Sequence, residues 1–378
     1  MIHRTLTVVL KPTEAQEQQF LNFAGASRFV WNRLIDIQNE RIENNKGYLG
    51  SFDLGRLIVS WKQEPETSWL YEISHHTLLE VARQNAEAYR TYFSRRNGKP
   101  RYKSRKHSEA KFFSRPERFH FNPDDTLHLD KLGNIAYSSR LKDLTKLNGA
   151  KIIRVTIKKR CSKWVALIGL VYKSHINTPE AGSMGIDVGV HNLVTAYWDG
   201  NTRVYSPMTS NKAYKKANDR LNYLNRVLTR KLKFHVYGTS YSRKLSFYLS
   251  LVQRAYQKQH FRRIDYNRKI VAELLSYKPS RVVMETLDIH EMQEDIRTSK
   301  YMLEVSLGEC IKTFRAACEW RGIPFVQARA DFPSTQICSS CGSRQRLTLA
   351  DRIYNCKHCG ITIDRDVNAA KNLSKWCQ

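Results

Sequence analysis

Three acidic residues could do chemistry, and two of them stand where acids are uncommon. Asp187 lies in GIDVG, between Ile186 and Val188, inside a nearly continuous apolar run. Strands disfavour Asp, and a buried carboxylate is costly unless it is paired or holds a metal. Glu285 repeats the anomaly in RVVMETLDI. Asp366, with Asp364 as its rival, opens the run DVNAAKNL, which reads as a helix start. Singly, each has a structural explanation: a turn at Gly189, an arginine partner, a helix N-cap. Together they form a donor set for phosphodiester hydrolysis with two Mg²⁺ ions. One ion would activate a water and the other would stabilise the leaving 3′ oxygen. Mg²⁺ takes hard oxygen ligands and keeps several waters, so few carboxylates suffice.

Cys338, Cys341, Cys356 and Cys359 form two CxxC pairs separated by fourteen residues. This is the spacing of a Cys₄ zinc ribbon. Four thiolates close a tetrahedral site, so the expected Zn²⁺ is structural. His358, between two of the ligands, is expected at the surface. The remaining cysteines, Cys161, Cys310, Cys318 and Cys377, are scattered, and Cys310 and Cys318 fit the apolar face of a helix. No disulfide framework is legible, which points to a reducing, cytoplasmic compartment.

The chain of 378 residues carries 63 Lys+Arg against 35 Asp+Glu, a formal charge of +28. Such a surplus on a folded chain favours polyanions. No apolar run of membrane-spanning length, signal-peptide pattern or lipidation motif accompanies it. The expected partner is therefore nucleic acid and not a membrane.

The elements that must position these residues can be read in order. Ile2 to Pro12 alternates as a strand, and Thr13 to Gln16 reads as a capping box opening a helical block that runs to about Arg95. A basic loop, Arg95 to His107, has the composition of a segment held against phosphates. From Lys111 to about Lys173, short strands are divided by turns, and a small barrel completed by the N-terminal strand is the expected result. Met184 to Ser206 reads as three strands, with Asp199-Gly200 as a hairpin turn. Basic helix follows from Asn211 to Ser276, with Leu221, Leu224, Val227 and Leu228 as its apolar stripe. A fourth strand (Ser280 to Ile289), a helix near Tyr301 to Arg321, a strand (Ile323 to Ala330), the Cys segment and a last helix complete the chain. Three antiparallel strands extended by parallel ones, with helices on the faces, is the RNase H-like order.

The motifs ASRFVWNRLI, GKPRYKSR, GIDVGVHNLVT, VVMETLDI, CSSCG…CKHCG and DRDVNAAKNL span the chain. Together they resemble the TnpB family of RNA-guided nucleases encoded by insertion sequences. The resemblance implies a multidomain α+β protein: a wedge β-barrel (1–12 and 110–178) and an inserted helical recognition domain (13–109). It further implies a RuvC nuclease domain (179–331 and 362–378, with a basic helical insert at 209–278) and a zinc ribbon at 332–361. It implies that Asp187, Glu285 and Asp366 hold Mg²⁺ and catalyse, with Asp364 the lesser choice, and that the four cysteines of the two pairs hold Zn²⁺. The implied partners are a guide RNA derived from the element end and a double-stranded target DNA, cut beside a short motif by a monomer. Two other readings share these features: a nuclease-inactive RNA-guided repressor and a transposase-type strand-transfer protein. The intact carboxylate set argues against the repressor. The basic helices are either part of a heteroduplex channel or a solvated face. Tyr92, Phe93, Tyr102, Phe112 and Phe113 are expected in the core more than stacked on bases.

Overall fold

The computed structural model describes residues 2–105, 108–138, 150–160, 163–172, 177–236, 241–287, 306–348 and 351–376. It divides into two compact units, Met1–Lys173 and Ser174–Gln378.

In the first unit, β1 (Ile2–Lys11) leads into α1 (Glu14–Glu43). The capping box forms as read: the Gln16 N–H donates to the Thr13 hydroxyl at 3.3 Å, and the Thr13 N–H donates to Gln16 Oε1 at 3.0 Å. Helices α2 (Ser51–Gln63) and α3 (His75–Phe93) pack together, joined through a 3₁₀ turn. Six strands follow: β2 (Lys111–Ser114), β3 (His120–Phe121), β4 (Thr126–Leu129), β5 (Gly133–Tyr137), β6 (Lys151–Arg160) and β7 (Lys163–Tyr172). With β1 they make one seven-stranded antiparallel sheet, ordered β2-β6-β7-β1-β5-β4-β3. β1 serves both halves, pairing with β7 along residues 2–9 and with β5 at Leu10 and Lys11.

The expected closed barrel is not what these strands form. Among the described residues no ladder joins the end strands β2 and β3, so the sheet is open. The very short β3 and the four-residue β2 offer little edge to pair. Phe112 and Phe113 are core residues, as expected, and Phe112 packs edge-on against Phe20 at 5.4 Å. Phe93 and Tyr102 are exposed instead. Phe93 stacks on Tyr48, and Tyr102 donates its hydroxyl to Asp36 at 2.6 Å.

The second unit opens with β8 (Ala181–Asp187), β9 (Val194–Trp198) and β10 (Asn201–Tyr205). Asp199 and Gly200 both take positive φ, the two-residue turn that suits a twisted hairpin. The basic stretch is two helices, α4 (Lys212–Leu232) and α5 (Arg243–Leu274), sealed by Leu221, Leu224 and Leu228 against Leu245 and Val252. After β11 (Pro279–Met284) come α6 (Leu307–Arg321) and β12 (Phe325–Gln327). The hairpin β13 (Ile353–Asn355) and β14 (Thr362–Asp364) then runs into α7 (Arg365–Lys375).

The main sheet is ordered β10-β9-β8-β11-β12, antiparallel through β8 and parallel from β8 to β12. This is the order read from the sequence. Two strands are shorter than read. β11 ends at Met284, and β12 covers three residues, flanked by irregular backbone. Residues 288 and 289 of the fourth-strand reading, 301–305 of the helix reading, and Cys161 and Cys377 lie outside the described residues. Cys310 and Cys318 are fully buried on α6 against the sheet, as core residues. No described helix is long and apolar enough to cross a membrane.

Candidate active site and cysteine knuckle

Asp187 is the last residue of β8, and Glu285 directly follows the last residue of β11. The two strands are parallel neighbours with Ile186 in register with Met284. The next residue on each strand is therefore an acid, and the two leave the sheet side by side. The interaction between their carboxyls raises Asp187 and lowers Glu285. Burial, then the charges of Glu285 and Asp366, hold the Asp187 carboxyl well above the usual range, against the pull of Arg365. Burial chiefly pushes Glu285 up to about 7, with the Asp366 charge adding to it and the Asp187 bond opposing it.

The third acid arrives on α7. Asp364 is exposed, and its Oδ1 accepts from the N–H groups of Asp366 (2.9 Å) and Val367 (3.0 Å), so it is the N-cap. Asp366, in the first helical turn, is 8 % exposed. Its Oδ2 accepts from Asn192 Nδ2 at 3.0 Å, and Arg365 Nε lies 3.5 Å from its Oδ1. The two acids have thus divided the roles that the sequence left open between them. Asp366 joins Asp187 and Glu285, while Asp364 starts the helix. The meeting place is the end of the central strand pair β8 and β11, not a lateral edge of the sheet.

Among the described residues this cluster is acidic, mostly buried, and faced by the cation Arg365. Thr195, the register partner of Asp187 on β9, is buried with its hydroxyl unpartnered among the described residues. An all-oxygen set with excess negative charge suits a hard divalent cation such as Mg²⁺. It lacks the soft thiolate donors that zinc ribbons use.

The four cysteines gather with every Sγ within 4.8 Å of the others. Among the described residues this is the group of His, Cys, Asp or Glu that meets that distance, and the three carboxylates are spread more widely. Cys338 and Cys359 Sγ are 3.6 Å apart, as are Cys341 and Cys356. A tetrahedron with ~2.3 Å Zn–S bonds has edges of about 3.8 Å, whereas a disulfide would need about 2.05 Å. The arrangement therefore fits a Cys₄ metal site. Each pair closes in the same way: the Gly342 N–H donates to the Cys338 carbonyl and the Gly360 N–H to that of Cys356. Both glycines have φ near +70° to +77°, where a side chain would be strained. Hydrogen bonds from Ser343 push Cys341 down to about 5, favouring the thiolate that metals bind. His358 is exposed.

The knuckle is tied to α7. Asn368 Oδ1 accepts the Ser339 N–H at 2.9 Å, and its Nδ2 donates to the Ile337 carbonyl at 2.7 Å. Asn372, one turn on, donates to the carbonyls of Ser334 and Ile337 at 2.7 Å. α7 in turn lies directly on β8 at Gly185. Asn192, Arg365, Asn368, Asn372 and Gly185 were not singled out from the sequence. The Asn368–Asn372 pair did carry a signal: asparagines at i and i+4 in a helix that they intrinsically weaken. Asn192 and Gly185 carried none, because their roles exist only across the sheet.

Three family models match the chain in order: "Helix-turn-helix domain" of the IS605 OrfB proteins (residues 1–47), "Probable transposase" of the same OrfB group (170–295) and "Cas12f1-like, TNB domain" (308–373). Residues 2–43 form a strand and one long helix, not a helix-turn-helix. The chain is 28% identical over 384 residues to a protein named "Putative RNA-guided DNA endonuclease InsQ" from Escherichia coli (strain K12), covering 96% of this chain and 90% of that one. It is 26% identical over 369 residues to a "Putative RNA-guided DNA endonuclease" of Streptomyces pristinaespiralis, covering 96% and 86%. Its fold is similar to that of the protein in a Cas12f1–sgRNA–target DNA complex, with a TM-score of 0.63 at 13% identity, covering 99% and 98%. With all three models in series and relatives matched along nearly its whole length, the chain is similar from end to end to the TnpB-like OrfB proteins of IS605 elements.

Proposed function

We propose that the protein is an RNA-guided, Mg²⁺-dependent endonuclease that cuts double-stranded DNA. The observation that carries this reading is the meeting of Asp187, Glu285 and Asp366 at the end of the central strands, in a chain of charge +28. The family supports the reading, since relatives matched along nearly the whole chain are named as RNA-guided DNA endonucleases.

Asp187, Glu285 and Asp366 are the residues that would hold Mg²⁺. When bound, Mg²⁺ supplies charge that polarises the phosphodiester and lowers the pKa of a water. The chain's own residues prepare for it. Asn192 and Arg365 fix the Asp366 carboxylate. The strand register fixes Asp187 beside Glu285, so that no large rearrangement is needed to present both. Burial raises both carboxyls of that pair, which favours a protonated form. That proton must leave for the full carboxylate set to face a cation. Guide pairing would carry sequence choice, while the protein grips backbone and shape. The partners in this reading are a guide RNA from the element's own end and the target duplex. The four cysteines hold structural Zn²⁺, and the place of action is the cytoplasm.

The test is to express the protein beside its native flanking DNA and sequence the RNA that co-purifies. A discrete RNA with a constant scaffold and a 3′ end past the element boundary defines the target for a cleavage assay. Cutting of that target by the wild type, absent from Asp187→Ala with RNA binding retained, supports the reading. A wild type that binds the target and never cuts would favour the repressor, and RNA-independent strand transfer of element ends would favour the transposase.

A further inference from the structure

The basic loop after α3 is not free. Trp31 Nε1 donates to the Arg101 carbonyl at 3.0 Å. Asn32 holds Lys103 from both sides of its backbone, donating to its carbonyl at 2.9 Å and accepting its N–H at 2.8 Å. Tyr102 is tied to Asp36. Four hydrogen bonds from one face of α1 thus fix three successive residues of a segment that composition alone would leave mobile.

The result is an unusual place for Lys103. Its Nζ sits 3.1 Å from the centroid of the Trp31 ring. A cavity of about 120 Å³ lies there, lined by Ser27, Arg28, Trp31, Lys103, Ser108 and Lys111, among others. That is well above the volume one water needs. Three cations share the cavity and none has an ion-pair partner among the described residues. Glu109 also lines it, but is engaged by Lys158 at 2.5 Å. Burial, then the Lys111 charge, pushes Lys103 down to about 7, while burial and the charge of Arg105, outside the lining, lower Arg28. The Ser27 and Ser108 hydroxyls also line it, but each already donates to a backbone carbonyl, Ser27 to that of Phe23 at 2.9 Å and Ser108 to that of Ser104. Clustered, half-buried cations whose neighbouring carboxylate is already engaged are unfavourable unless an anion joins them.

We propose that this cavity between α1, α3 and residues 103 and 108–111 is a phosphate-binding site, in which Arg28, Lys103 and Lys111 clasp one phosphate group. Under the nucleic-acid reading above, on which this identification of the source rests, the phosphate belongs to an RNA or DNA backbone. A free phosphate would satisfy the same chemistry. Phosphate rather than carboxylate fits the number of cations, since a phosphate group offers several acceptor oxygens. The tether from Trp31 and Asn32 keeps the lysine in place before the ligand arrives, which reduces the ordering cost of binding.

The test uses the full chain freed of nucleic acid, with its lysines ¹³C-methylated and the Lys103 signal assigned by its absence in Lys103→Met. The midpoint of that signal is followed against pH alone, with inorganic phosphate, and with a mixed-sequence RNA oligonucleotide. In parallel, RNA affinity is measured against salt for wild type, Lys103→Met and Lys103→Arg. We expect RNA to raise the midpoint by about one unit or more. Lys103→Met should flatten the log K against log[salt] slope by about 1, and Lys103→Arg should keep it. A midpoint raised by RNA alone identifies a backbone phosphate, and one raised by inorganic phosphate as well identifies a site open to the free ion. RNA that binds without moving the midpoint or changing the slope in Lys103→Met would overturn the site while leaving the function intact. If RNA does not bind at all, the functional reading fails, and the inorganic phosphate arm alone decides: a raised midpoint supports the site and an unmoved one ends it.

Discussion

Gly185 of β8 lies so close to the Ala370 carbonyl of α7 that no Cβ would fit between them; the Ser374 nitrogen and the Leu373 carbonyl carbon close the same space. The glycine is thus the seat on which the last helix rests, two residues before Asp187. Gly185→Ala forces α7 away from β8 and carries Asp366 with it. The expected result is destabilisation of about 3 kcal/mol with strongly reduced cleavage. Gly25→Ala serves as the control: it meets nothing within 4 Å inside α1 and should be neutral or slightly stabilising. Thermal melts and cleavage rates of the two variants check this, and a Gly185→Ala protein with wild-type melting and cutting would remove the close packing from the account.

Asp364 and Asp366 should separate by experiment. Asp366→Ala removes a proposed metal ligand and is expected to abolish cutting with little loss of stability. Asp364→Ala removes the cap and should cost about 1 kcal/mol with partial loss of cutting. Melting temperature and cleavage rate measured side by side decide it, and the reverse pattern would move the metal site to Asp364.

The knuckle should act through α7. Asn368→Ala breaks bonds to Ser339 and Ile337 while sparing every cysteine. It is expected to retain one zinc per chain, to lower the melting temperature and to weaken cleavage. Cys356→Ser should lose the zinc as well as stability and activity. Zinc content by elemental analysis and cleavage rates are the readouts. Full activity and melting temperature in Cys356→Ser would show that the knuckle does not brace the helix.

The acid pair gives the metal-free protein a pH dependence of known sign. Glu285 titrates near 7 in the folded chain and at about 4.3 when unfolded. The folded state therefore holds a proton that the unfolded state has released, and this contribution to stability is present below pH ~4.3 and lost as pH rises through 7. In a chelator, the melting temperature of the wild type should fall more steeply between pH 5 and 8 than that of Glu285→Gln. Mg²⁺ should remove most of the difference. Parallel melting curves in chelator would show that the pair does not hold the buried proton.

The sequence by itself determined the elements and the chemistry. Alternation and turn residues marked β8 to β10 down to the Asp199-Gly200 hairpin. The two CxxC pairs marked the knuckle, and the misplaced acids marked Asp187 and Glu285. These are local signals, because side-chain periodicity and turn dihedrals are set within a few residues. The tertiary structure decided what depends on distance across the chain. It set Asp366 beside Asp187 and Asp364 at the cap, since only the helix phase shows which acid caps and which turns inward. It left the first sheet open, because closure depends on how β2 and β3, far apart in sequence, meet. It gave Gly185, Asn192, Asn368 and Asn372 their work, each as one side of a contact whose other side lies elsewhere in the fold. A sequence states what each residue can do, and only packing states what each one faces.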